Sequence, residues 1–475
     1  MWYMKKGLII FLVIITISKL KPQTEGIQWN GYFQPDHRIN IHNGNWLWNE
    51  NRLSLGLTKL FEEKAKFTAN IWVRTLGSPY ENNWLMKPEI REAKIEVFDF
   101  ILPKLDLSVG RQRIKWGTAD KLNPTDNINP YDLEDIWDFG RHKPSDAILI
   151  KYYPDDKTRI EGVFLPLFDE IKMPAGVYAS LLVPEFNFPD SMSISQKPGY
   201  PPLPLPHKIA IVTNKISTNT IYPDVNIRTA SYAIKLYRQL FDVDFSLSYN
   251  FGYDGIPIPT TAFIDLDSID LLHNKTYINV LTKLEYPRFH RIGFDFTGNL
   301  KGIGIWGEGI LTIPEKDYIM KVVTPDINEI IGFDAGIITN MKDSIIFQKN
   351  KPWIKYVIGT DYTFKNGIYC NFQYLHGFVH ERGTDNLNDY FIIRAEKKLL
   401  NDKIKIAPIS GGFVINDFKN VKDNYAILWI PEFIYFPNDN TEISLGCKLI
   451  DGKGKGTFNS IKDYDEIFLR IKYSF

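Results

Sequence analysis

The chain has 475 residues, and its 56 basic and 56 acidic side chains cancel to a formal net charge of zero. That balance excludes a protein built to hold nucleic acid, which carries a basic excess. A slightly negative mean hydropathy excludes a bundle of membrane-spanning helices, whereas 14% aromatics, including 25 Tyr and 11 Trp, suits a β-barrel with aromatic girdles.

The chain starts Met1-Trp2-Tyr3-Met4-Lys5-Lys6 and continues in an apolar run from Gly7 to Ser18. A basic segment followed by a run of this length reads as a secretory signal peptide over 1–22, cleaved between 19 and 26. The run is shorter than the roughly 20 apolar residues a spanning helix needs. No Cys follows it, so a lipoprotein anchor is not expected.

Residues 27–475 read as a single all-β domain. Stretches of about ten residues recur with alternating polarity, most clearly from Phe241 to Tyr253. There Phe241, Val243, Phe245, Leu247, Tyr249, Phe251 and Tyr253 fall on one face, and Asp242, Asp244, Ser246, Ser248, Asn250 and Gly252 on the other. A period of two sorts them completely and a helical period scatters them. A Lys or Arg facing lipid at mid-bilayer costs about 2–4 kcal/mol, so the polar face is expected in the lumen.

Strands are predicted near 27–39, 49–61, 64–77, 89–100, 105–117, 146–154, 158–168, 226–240, 242–254, 284–300, 303–314, 352–364, 367–380, 387–400, 403–416, 424–437, 441–451 and 464–475. Short turns fall at Glu62-Glu63, Pro103-Lys104, Asp155-Asp156, Leu240-Phe241, Lys301-Gly302, Lys365-Asn366, Asn401-Asp402 and Pro437 to Asn440, with longer connections between them. Short and long connections alternate, as in a transmembrane antiparallel barrel with periplasmic turns and outer loops. The count is about 18 strands, provided 276–300 supplies one strand; a split at Pro287 gives nineteen. Sixteen is the alternative, because the first two strands are weakly patterned. Three outer loops are long: 118–145, 169–225 and 315–351. The first carries two Asn-Pro steps and is expected to form short helices over or in the mouth. The second holds seven prolines between Pro184 and Pro206 and is expected to be an extended flap. The third has no visible feature.

Charge singles out Arg111, Arg113 and Lys115, which share a face if the strand runs to Gly117, and Glu92, Lys94 and Glu96 on the strand before. Two registers across the hairpin are expected: Glu96 opposite Arg111 with Glu92 opposite Lys115, or Lys94 opposite Arg111 with Glu92 opposite Arg113. Either makes a charged ladder on the inner wall, a candidate constriction or simply a stiffened wall. Arg394, Glu396 and Lys398 repeat the pattern later. Cys370 and Cys447 sit among apolar neighbours and read as lipid-facing hydrophobes. His376 and His380 share a face but lack a third ligand, so neither metal nor cofactor is expected. Gly452-Lys453-Gly454-Lys455-Gly456 lacks phosphate-loop spacing and reads as an outer loop.

The chain closes on Ile467, Leu469, Ile471, Tyr473 and Phe475 alternating with Glu466, Arg470, Lys472 and Ser474, with Phe468 the one exception. This resembles the closing strand of outer-membrane β-barrels, with Ile471, Tyr473 and Phe475 as the signal read by the outer-membrane insertion machinery. The stretch Gly110-Arg111-Gln112-Arg113-Ile114-Lys115-Trp116-Gly117, followed by Asn123-Pro124-Thr125-Asp126 and Asn129-Pro130-Tyr131-Asp132-Leu133, resembles a signature of large porin-like barrels similar to the alginate-export channel class. The resemblance implies an eighteen-stranded monomeric channel in the outer membrane of a Gram-negative-type bacterium, set among lipid and lipopolysaccharide. It implies that Arg111 and Arg113 meet anionic substrate, although the balanced net charge departs from a strongly cationic polyuronate pore. The function expected is passive passage of small hydrophilic, anionic solutes, without catalysis. The alternatives are a scaffold or receptor docking a periplasmic or cell-surface protein, and a polysaccharide export channel.

Overall fold

The computed structural model describes residues 26–78, 85–182, 190–202, 208–270, 273–324, 326, 328, 333–340, 344–454 and 456–475. The signal peptide expected over 1–22 lies outside them. In chain order the strands are β1 (Ile27–Asn40), β2 (Trp46–Phe61), β3 (Ala65–Leu76), β4 (Leu85–Val97), β5 (Leu105–Gln112), β6 (Ser145–Asp155), β7 (Thr158–Leu165), β8 (Ser191–Gln196), β9 (Lys208–Ile221), β10 (Ser231–Leu240), β11 (Val243–Tyr253), β12 (Ile258–Asp270) and β13 (Lys275–Glu285). They continue with β14 (Arg288–Leu300), β15 (Ile303–Pro314), β16 (Tyr318–Val323), β17 (Ile337–Asn340), β18 (Ser344–Gln348), β19 (Trp353–Thr363), β20 (Ile368–His376), β21 (Asp389–Leu399), β22 (Ile404–Ile415), β23 (Tyr425–Trp429), β24 (Glu432–Asn438), β25 (Thr441–Lys453) and β26 (Glu466–Ser474).

Nineteen of these form one antiparallel sheet that closes on itself, β1 pairing with both β2 and β26. β23 and β24 are two halves of one strand, since both lie between β22 and β25, so the barrel has eighteen strands. The break falls at Pro431, which has no N–H to give the ladder. At the seam Gly31 and Phe475 exchange two backbone hydrogen bonds of 3.0 Å. A side chain at position 31 would meet the Phe475 ring at 2.8 Å, so the terminal aromatic needs a glycine beside it. All eight expected short turns connect barrel strands at one end, where both termini of the barrel also lie. The tightest turns put non-glycine residues at positive φ, Phe241 at 52° and Asp242 at 62° among them, matching the twist of a two-residue hairpin.

The alternation of β11 is as expected: Leu247 and Tyr249 are exposed outside, and Ser246, Ser248 and Asn250 are buried inside. Cys370 and Cys447 carry free thiols. Both alternate with buried inward residues, Asn371 and Lys448, which puts them on the outer face.

The sheet corrects the expected boundaries in several places. The strand expected over 105–117 stops at Gln112, that over 226–240 starts at Ser231, and 276–300 divides into β13 and β14 around Pro287. The division leaves the barrel even because β13 belongs to a second sheet. That sheet has seven strands in the order β17-β8-β9-β13-β12-β16-β18, drawn from three connections at the long-loop end. The proline-rich connection expected as a flap contributes β8 and β9, and the featureless one contributes β16, β17 and β18; Pro184 and residues 203–207 lie outside the described residues. β17 and β18 are the two edges, yet Ser344 is only four chain steps from Asn340, a reach of roughly 14 Å. Seven flat strands would set the edges about 29 Å apart. The sheet is therefore rolled, around Ile194, Ile209, Ile211, Ile264, Val280 and Val322.

Candidate functional site

Gln112 and Ser145 are paired neighbours in the wall, yet residues 113–144 run between them as a long strap without a helical residue, where short helices were expected. Its own sequence shapes it. The Asn129 side chain accepts from Ile114 N at 2.7 Å and donates to Gln112 O at 3.0 Å, replacing the sheet partners lost where β5 ends. Arg113 reaches Asp126 Oδ1 at 3.0 Å, and Asn123 Nδ2 donates to Ala119 O at 2.9 Å. Both Asn-Pro steps thus act as folding staples within the strap.

The strap crosses the lumen and is held on both sides. On the wall of β1–β4, Arg38 is fully buried and grips Asp135 through two bonds, 2.7 and 2.5 Å, while its other edge holds Asp36 at 3.0 and 2.9 Å. Arg74 donates to Glu134 at 2.8 Å and to Glu50 at 3.2 Å. Arg91 lies 3.4 Å from Asp132, which Arg141 of the strap holds at 3.0 Å. Burial pushes the Asp135 and Asp132 carboxyls up, but Arg38 and Arg141 outweigh it and keep both well below the usual carboxylate range. Across the lumen, on β15, buried Glu308 accepts from Ala119 N at 2.5 Å, Thr125 Oγ1 at 2.7 Å, Thr125 N and Asn123 Nδ2 at 3.1 Å, and Thr118 N. β3 and β15 are the third and eleventh of eighteen barrel strands, so these anchors are nearly diametrically opposed.

Between the anchors the strap builds an apolar core inside the barrel. Leu122, Leu133, Ile136 and Trp137 belong to one buried cluster with inward residues of β15 and β19–β25, including Trp306, Val357, Leu375, Tyr390, Val414, Ala426 and Ile450. The rule that the inner face is polar fails here. A second segment follows the strap in: Tyr178, on a 3-10 helix at Gly176–Leu181, is buried in the same cluster and donates to Glu466 of β26. Two solvent-open cavities flank the strap, of about 140 and 230 Å³, and Leu122 contributes to both.

The charges singled out from sequence are dispersed. Arg111 pairs with Asp146 at 3.0 Å and alternates with inward Gln112, so it stands on the outer face beside Val109. Neither expected register forms: Arg111 lies opposite Ala93, Lys94 opposite Gly110 and Glu96 opposite Ser108. The face expected to hold Arg111, Arg113 and Lys115 does not form, because Arg113 and Lys115 lie beyond the end of the strand, where period two no longer applies. Glu92, Lys94 and Glu96 do share the inner face, with Lys94 3.0 Å from Glu92 and 3.5 Å from Glu96. Arg394 also faces inward, holding Glu396 at 2.8 Å and Glu432 at 3.0 Å, whereas Lys398 is exposed and reaches Asp402 of the short turn at 3.5 Å. His376 is 2.8 Å from Asp389. Ile471 and Tyr473 lie on the outer face near the end of the closing strand, with Arg470 and Lys472 facing inward, and Phe475 follows its last residue, Ser474.

Sequence reasoning missed Arg38, Arg74 and Glu308. The signal available for the first two was the acidic run Asp132-Leu133-Glu134-Asp135, which needs cations if it is buried.

No family model matches the chain, and no curated protein matches it in sequence. Solved structures similar to it include OccD3 of Pseudomonas aeruginosa, with 8% identity over 95% of this chain and 91% of that one at a TM-score of 0.45. They also include OmpF of Salmonella typhi, with 8% identity over 94% and 97% at 0.40, and a mutant porin of Rh. blastica, with 9% over 94% and 100% at 0.40.

Proposed function

We propose that the protein is an outer-membrane channel for small hydrophilic solutes, in which the 113–144 strap sets what passes. The closed barrel with an apolar outer face supports the membrane location, since closure leaves no unpaired strand edge. The observation that carries the channel reading is the strap itself, pinned to opposite walls with a solvent-open cavity on either side. Lumen loops that narrow a barrel select by size and by the groups lining the remaining space. Arg111 stands on the outer face and Arg113 is matched by Asp126, so uncharged solutes suit this lumen better than anions, and a polyuronate has little cation to follow.

Because Gln112 pairs with Ser145, residues 113–144 can be replaced by a four-residue Gly-Ser turn with the barrel ladder intact. In planar bilayers the wild type should show small conductance steps and the strapless variant steps several-fold larger. If neither conducts, or if both conduct equally, the reading fails.

A further inference from the structure

The larger cavity lies on the short-turn side of the strap, reaching down to Tyr369, the second residue of β20. Its lining has a direction. Trp137 and Phe139 of the strap, with Phe378 and Phe458 from the outer connections, roof it with aromatic surface. Asn371 and Gln373 of β20 lie further toward the short turns, at the polar end. The three wall cations that border it are each matched: Arg394 by Glu396 and Glu432, Lys448 by Glu466, and Arg470 by Asp36 at 2.9 Å. Asp120 and Lys121 of the strap add one charge of each sign, so the lining offers a lone ion little net partner and would cost it its hydration.

One side chain of this lining, Gln373, has a buried acceptor, Oε1, without a hydrogen-bond partner. Buried polar atoms are seldom left so, and those in a cavity wall mark where a ligand's own groups can bond. It sits at the amide end of the polarity gradient. A cavity of about 230 Å³, aromatic at one end and amide-lined at the other, is larger than a mere packing defect.

We propose that this cavity is a binding site for an uncharged solute with an apolar ring at one end and hydroxyl groups at the other. The ring packs under Trp137 and Phe139, and a hydroxyl donates to Gln373. This names the solute class for the channel read above, and it rests on that reading only for transport; binding is separately measurable.

The test uses the full-length protein in nanodiscs, free of sugar-headed detergent, titrated by calorimetry with phenyl glucoside, glucose and benzoate. Phenyl glucoside should bind saturably, glucose at least tenfold more weakly, and benzoate not measurably. Gln373→Leu should weaken phenyl glucoside about tenfold, and Phe139→Ala, which changes the roof rather than the wall, should weaken it by a similar factor. Equal binding of all three probes, tighter binding of benzoate, or unchanged affinity in both variants overturns the site. The same probes in planar bilayers keep the two proposals apart: a protein that conducts without binding loses the site and keeps the channel, and one that binds without conducting does the reverse.

Discussion

The two sides of the lumen hold the same strap by opposite means. The β1–β4 wall holds it with guanidinium–carboxylate pairs, Arg38 to Asp135 and Arg74 to Glu134. The β15–β25 wall holds it chiefly with apolar side chains, Trp306, Val357, Leu375, Tyr390 and Val414, helped by Glu308 accepting from its backbone. Apolar burial is non-directional and stabilises in proportion to area, at about 25 cal/mol per Å². A buried ion pair is directional and roughly neutral against an apolar replacement, yet breaking it on one side is expensive. The comparison assigns each wall a job: the apolar side supplies most of the binding of the strap, and the ionic side fixes its register.

The strongest way to break this division is Arg38→Ala. It strands Asp135 in a buried site, leaves Asp36 with Arg470 alone, and should destabilise the protein by about 3–5 kcal/mol, read from guanidinium unfolding in detergent, with protease cutting within 113–144. Arg38→Met combined with Asp135→Leu should recover most of that loss. If it does not, the pair is itself the main source of stability and the division fails. Acid should mimic the single variant. Asp135 titrates lower in the folded chain than in the unfolded one, so its contribution is complete above the unfolded carboxylate pKa and is lost as pH falls toward the folded one.

The apolar side is tested by Leu122→Ala. Large-to-small changes in a core cost about 2–5 kcal/mol. Leu122 borders both cavities, where neighbours and water can adjust, so a value nearer 2 is expected. A loss above that of Arg38→Ala would reverse the order of the two walls.

Much of the barrel was legible because an apolar outer face follows a simple alternation, and all eight short turns and the even count followed from it. The rule was over-extended inward. The outer face of the strands is largely apolar, but the inner face answers to whatever fills the lumen. Runs such as Tyr390-Phe391-Ile392-Ile393 and Ala426-Ile427-Leu428 are apolar on both faces because a strap packs inside. Phe468, the exception in the closing strand, is likewise buried on the lumen side beneath Lys448. The second sheet was illegible for another reason: its neighbours come from three separate connections, and two of its pairings, β9 with β13 and β12 with β16, are parallel. No local pattern announces such pairing, since parallel partners can be far apart in sequence.

The smallest effect should come from the residue that attracted most attention in the sequence. Arg111 lies one position from the end of β5, on the outer face, 27% exposed and paired with an Asp146 that is 44% exposed. A pair that open to its surroundings contributes about 0–1 kcal/mol. It stands across the wall from the solute path, so Arg111→Ala should leave both the unit conductance and the reversal potential under a salt gradient where the wild type has them. Arg113→Ala differs, because Arg113 ties Asp126 into the strap and should loosen it, raising conductance. A reversal potential that moved with Arg111 alone would put that side chain in the path of the ions. The outer-face assignment, with the alternation across Gly110 that supports it, would then be wrong.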